Sequence, residues 1–178
     1  TYFILLHGAC YNALEKEISD IIFKILDLGH EIGLHFDPIF YGDSLKSKST
    51  LEEAMVFEKY ILERLFHTNI RVFSWHNPTV CNVITIDDDE IAGMLNAYGA
   101  AISCKYSYVS DSNGIWRYRR LGDVLNNPTD KHLQVLTHPE WWTPEPIFPR
   151  DRIIRAIEGR ARAALQEYDS FLKLHDRP

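Results

Sequence analysis

The sequence predicts a single α/β domain of parallel strands joined by crossover helices, and three observations carry that expectation. Short apolar runs alternate along the chain with segments whose apolar residues recur at helical spacing. The 178 residues, 46% of them hydrophobic, suffice for one buried core. Proline and glycine are spread out rather than gathered into a linker, and no internal repeat or low-complexity tract divides the chain.

Taken in order, Tyr2–Leu6 reads as a strand. Leu14, Ile18, Ile21, Ile22 and Ile25 then keep helical spacing up to Gly29, which suits a helix stop. His30, just past that stop, reads as structural. A strand follows at Glu31–His35. Thr50 with Glu53 has the spacing of a capping box, and Leu51, Met55, Ile61, Leu62 and Leu65 give the next helix an apolar face to near His67. Arg71–Trp75 is a strand, Glu90–Leu95 a short helix, and Ala100–Cys104 and Tyr106–Val109 are weaker strands. Leu133–Thr137 is the last clear strand. From Arg150, the positions Ile154, Ile157, Ala161, Ala164, Tyr168 and Phe171 define a long final helix expected to pack on the strands.

Charge and cysteine usage narrow the function. With 25 acidic and 19 basic side chains the net charge is −6, which argues against a nucleic-acid partner. Apolar stretches such as Tyr2–Leu6 and Ile18–Leu28 fall far short of the roughly 20 residues of a membrane span. Cys10, Cys81 and Cys104 are odd in number with no close pairing, so a reducing, cytoplasmic compartment is the expectation. The chain opens on Thr1 and runs at once into a strand, so N-terminal sequence is expected to be missing.

In parallel α/β folds, ligands collect where strands end. Here those positions hold His7, then His35 with Asp37, His76 with Asn77, Ser110 with Asp111, and His138 with Glu140. Histidine near four strand ends is hard to assign to capping alone. His35 and Asp37, two residues apart in extended backbone, point to one side and could share a metal ion or a proton, or Asp37-Pro38 could simply open a turn. His76, ahead of Asn77-Pro78, suits either a ligand or a general base. Trp141 and Trp142 beside His138 are equally readable as core or as a stacking wall for a sugar ring. Ser110–Gly114 forms a turn that brings Trp116 and Arg117 to the mouth of the same face. Tyr11 could bind substrate, while Asn12 is explained by capping. Asp87–Glu90 reads as a solvated helix N-terminus, without the spacing of a calcium loop.

The segment Gly29-His30-Glu31-Ile32-Gly33-Leu34-His35 resembles the Gly-His-Glu-Ile-Gly-x-His motif of the polysaccharide deacetylase family, the NodB-like carbohydrate esterases. Thr1–Leu6 is similar to that family's second strand. Ser74–Pro78, Tyr108–Arg117 and Leu136–Trp142 look like a divergent branch associated with surface-polysaccharide biosynthesis. The resemblance implies a distorted (β/α) barrel, lacking its first strand in this chain, with a divalent metal, commonly zinc, at the strand C-terminal face. It implies a hydrolase that removes the N-acetyl group of a sugar or polysaccharide precursor. His35 matches the first metal-ligand His and His138 the late-strand general acid. His76 stands near the family's usual Arg-Pro motif. The family's Asp pair belongs to the strand before Thr1, and its second metal His falls at Ile39, so either His76 or Asp37 substitutes, or the site binds metal weakly, or this branch does different work.

The resulting candidate set is His35, Asp37 and His76 for the metal, and His138 and Asp111 for proton transfer. Tyr11, Asn77, Trp116, Arg117, Glu140 and Trp141 are the candidates for substrate binding. The alternative reading is a catalytically silent carbohydrate-binding or accessory protein of polysaccharide assembly. A metal-free hydrolase lacks a nucleophile elbow.

Overall fold

The computed structural model describes residues 1–76, 88–116 and 118–177, and the chain forms two compact units, Thr1–Lys105 and Tyr106–Pro178. The protein is mixed α/β with mostly parallel strands.

In the first unit, β1 (Tyr2–Ile4), β2 (Ile32–Phe36) and β3 (Val72–Trp75) lie side by side in parallel. The crossovers are α1 (Lys16–Asp27) and α3 (Lys48–Phe66), which pack against each other and so share one face of the sheet. A short α2 (Pro38–Tyr41) follows β2. Strand alternation sorts the side chains. Leu34, Phe36, Phe73 and Trp75 join Leu51, Met55 and Leu62 of α3 in the buried core, whereas Gly33, His35 and Ser74 face the other way. β1 pairs only with β2 among the described residues and forms the sheet edge.

Gly33 shows how tightly that second face is built. A Cβ there would stand 2.8 Å from the Val72 carbonyl oxygen and 2.9 Å from the Phe3 ring, and a backbone oxygen inside the sheet cannot step aside. Gly33→Ala is therefore expected to destabilise the fold by about 1–3 kcal/mol, the usual cost of overpacking, read as a lower urea midpoint.

α3 starts earlier than Thr50 suggests. Ser47 is the N-cap, its hydroxyl accepting from the Thr50 N–H at 3.2 Å while Thr50 Oγ1 accepts from the Ser47 N–H at 3.1 Å. Asn12 accepts from the Leu14 N–H and turns the chain three residues ahead of Glu15, the N-cap of α1, rather than capping the helix itself.

The expected helix over Glu90–Leu95 is instead an antiparallel hairpin of β4 (Glu90–Ile91) and β5 (Met94–Asn96), with β5 parallel to β3. Ala92 and Gly93 both take positive φ, 53° and 67°, which is the two-residue turn that suits a hairpin and cannot continue a helix. The acidic run then has a different job from the one expected. Asp88 pairs with Lys48 at 2.7 Å, and Asp89 accepts from Ala101 N–H in the first turn of α4 (Ala100–Ser103), a helix where a weak strand was expected.

The second unit holds a parallel pair, β6 (Ser107–Ser110) and β7 (Leu133–Leu136), with α5 (Leu121–Asn126) between them in sequence. Its last element, α6 (Pro149–Leu174), spans 26 residues with none buried. Within its unit it meets the Pro139–Trp141 turn, and Ile157, Tyr168 and Phe171 remain exposed, against the expectation that this stripe packs on strands. No helix among the described residues is long and apolar enough to cross a membrane.

Candidate active site

The first unit brings two of the sequence-derived residues together. His35 stands opposite Ser74 in the β2–β3 register, and its Nδ1 lies 3.2 Å from the Ser74 carbonyl oxygen. A carbonyl only accepts, so His35 Nδ1 carries the proton and, in the neutral ring, Nε2 carries the lone pair. His76 Nδ1 lies 3.3 Å from that Nε2 and is therefore the donor between the rings. The rings meet edge to face, with centroids 5.0 Å apart. β2 and β3 supply this geometry directly, since the His76 N–H donates to the Phe36 carbonyl at 2.8 Å and extends the ladder to the strand ends.

The donor set suits a divalent ion in part. Two nitrogens bound tetrahedrally at about 2.0–2.1 Å are about 3.3 Å apart, which is the separation found between His35 and His76, and an ion there would require His76 to carry its proton on Nε2 instead of Nδ1. The carbonyl behind His35 is the kind of outer partner that fixes a ligand imidazole. Asp37 is employed otherwise: its carboxylate accepts from the Ile39 N–H at 3.0 Å and caps α2, which is the turn-opening role. Among the described residues, no three His, Cys, Asp or Glu side chains converge as a metal-binding group, and Ile39, at the expected second-His position, is exposed.

In the second unit, Asp111 and His138 follow the paired ends of β6 and β7. Asp111, 5% exposed, accepts from His138 Nδ1 at 2.7 Å and from the His138 backbone N–H at 3.1 and 3.2 Å. One carboxylate thus fixes both backbone and ring. Because Asp111 takes the Nδ1 proton, His138 Nε2 is the nitrogen available for proton transfer, and it has no hydrogen-bond partner among the described residues. The turn after β6 is held by Ser110 and Ser112, whose hydroxyls are 2.6 Å apart.

The substrate-binding candidates divide. Trp141 is built into its unit, its ring against the space at Gly114 and beneath the Arg152 guanidinium at 5.8 Å, whereas Trp142 is 58% exposed. Glu140 is exposed and Trp116 half-buried. The Tyr11 hydroxyl accepts from the Leu5 N–H at 2.7 Å and steadies the loop after β1. Asn77 and Arg117 lie outside the described residues, as does Cys81. Cys10 and Cys104 are exposed and unbridged.

A cluster at the end of β1 was not anticipated. Glu58 of α3 is 1% exposed, accepts from the Tyr41 hydroxyl at 2.8 Å and lies 3.2 Å from His7 Nε2. That last contact lacks hydrogen-bond alignment, and among the described residues His7 Nε2 and the other carboxyl oxygen, Glu58 Oε2, are buried without a hydrogen-bond partner. Burial, aided by the negative charge of Asp37 and opposed by the Tyr41 hydrogen bond, pushes the Glu58 carboxyl up to about 7. Burial also lowers the His7 imidazole, with Asp37 partly offsetting it, and burial together with Glu58 raises the Tyr41 phenol. The signal was present in the sequence: Glu58 falls on the stripe Leu51, Met55, Leu62 and Phe66, where an apolar residue is expected.

Comparison with protein-family models, with curated proteins and with solved structures yields no match.

Proposed function

We propose that this chain is a metal-dependent, deacetylase-like hydrolase that acts on the N-acetyl group of a sugar in surface-polysaccharide biosynthesis, built on a distorted (β/α) barrel. The observation that carries the reading is the His138–Asp111 pair, a buried carboxylate 2.7 Å from an imidazole whose other nitrogen is left for substrate. The sequential order β1-β2-β3, with both crossover helices on one face, supports a barrel wall. Imidazoles at the ends of β2 and β3 support a site at the strand C-terminal face, where such enzymes work.

His35 and His76 would hold the ion, and Ser74 keeps the His35 ring in the tautomer that presents Nε2. Held there, zinc would supply Lewis acidity toward the amide carbonyl and toward a water molecule. His138, protonated on Nε2, donates to the departing amine, and Asp111 stabilises the imidazolium before that transfer. Trp142 offers an apolar face to a sugar ring.

The use of Asp37 as a helix cap, which leaves two imidazoles in place of a three-ligand group, favours the second reading, a carbohydrate-binding protein without turnover. The two separate in one assay, in which the protein is given zinc and an N-acetylated oligosaccharide and acetate is measured against free amine. The first reading expects equal amounts of both, abolished by a chelator. Sugar binding without acetate would establish the second reading, and neither binding nor release would overturn both.

A further inference from the structure

We propose that His7 and Glu58 hold one proton between them at the C-terminal end of β1, forming a buried carboxylate–imidazole pair that exchanges this proton with solvent through the exposed part of the imidazole. No role in the deacetylase reading uses either residue, and the inference stands apart from it.

Geometry carries the argument. His7 Nε2 and Glu58 Oε1 are 3.2 Å apart, and the buried Nε2 and the carboxyl's second oxygen, Oε2, have no hydrogen-bond partner among the described residues. An orphaned polar atom in a core is costly, and a proton on Nε2 turned toward the carboxyl gives the imidazole a partner that it otherwise lacks. The surroundings fix the pair in place. Phe40 stacks on the His7 ring at 3.4 Å and 3°, Tyr41 meets it edge-on, and the Tyr41 hydroxyl is committed to Glu58. The His7 side chain is 25% exposed while that of Glu58 is 1% exposed, so the imidazole is the route by which a proton reaches the carboxyl. The proton balance is simple: a neutral carboxylic acid and neutral imidazole interconvert with carboxylate and imidazolium, and loss of the proton to solvent leaves carboxylate and neutral imidazole.

The charged and titratable groups facing Glu58 are His7 after β1, Asp37 ahead of α2 and Tyr41 on α2. Asp37 disfavours a second negative charge there, and the Tyr41 hydroxyl favours it. Because the folded carboxyl holds its proton up to about 7 against an ordinary value of 4.5, its contribution to stability is complete below the ordinary carboxylate range and is lost as pH rises through about 7.

The test is a nitrogen-detected NMR titration of the His7 ring in the purified chain from about pH 5 to 9, in wild type, Glu58→Gln and Tyr41→Phe. Coupled groups titrate in two macroscopic steps, so wild-type His7 is expected to show two inflections, and E58Q one. Y41F keeps the ring packing and removes the hydrogen bond that favours the ionised carboxyl, so its upper inflection is expected to move to higher pH. It also serves as the readout if E58Q does not fold. One ordinary inflection, unchanged in whichever variants fold, would overturn the proposal.

Discussion

Replacing His138 with Ala is expected to lower acetate release from an N-acetylated sugar by about 10²–10⁴-fold, the usual worth of a positioned acid, while metal content stays the same. The imidazole is oriented by one carboxylate at two points, so the loss falls on kcat rather than on substrate affinity, as it does for a group that acts only in the transition state. A fall of less than about tenfold would make His138 a structural residue. Release of metal in the same variant would make it a ligand and pass proton transfer to another group.

Asp111→Asn is expected to cost nearly as much, about 10²–10⁴-fold in kcat, through a different cause. The carboxylate can only accept, which forces the proton onto His138 Nδ1. An amide can present its NH₂ group to the ring instead, which selects the opposite tautomer and removes the stabilisation of the imidazolium. Its oxygen, at the place of Asp111 Oδ2, can still accept from the His138 backbone N–H, so the fold is expected to survive with little change in the urea midpoint. The discriminating readout is the split between turnover and binding: in D111N kcat is expected to fall while KM and the urea midpoint stay close to wild type. A variant that loses activity in step with a lowered urea midpoint would show that Asp111 acts only through folding.

What could be read from the sequence followed the strength of each local signal. β2, β3 and β7 are apolar runs bounded by turn residues, and α3 and α6 keep helical spacing over many turns, so their existence was legible. The β4–β5 hairpin was not. Ile91, Met94 and Leu95 stand at helix-like intervals, and only the positive φ of Ala92 and Gly93 turns that pattern into two strands. Thr50 and Glu53 have capping-box spacing, yet the box is formed by Ser47 and Thr50, because cap and reciprocating residue can both be hydroxylic.

The candidate site shows the same division. Histidine and aspartate next to strand ends were visible as residues, and the Asp111–His138 contact follows from parallel pairing of β6 with β7. Whether Asp37 would face a ligand or its own helix was not legible, since both readings use the same extended backbone, and the Ile39 N–H takes it. Glu58 is hard to read as buried because carboxylates on helices are normally solvated; its place on an apolar stripe is the one clue the sequence offers.

The central claim is that His35 and His76 together hold a divalent ion. Its most direct test is the zinc content of the purified chain after dialysis, by elemental analysis, for wild type and for His35→Ala and His76→Ala. One equivalent of zinc per chain in wild type, and loss of it in either variant with the helical signal retained, is the predicted result. Zinc absent from wild type, or present at the same stoichiometry in wild type and both variants, would contradict it.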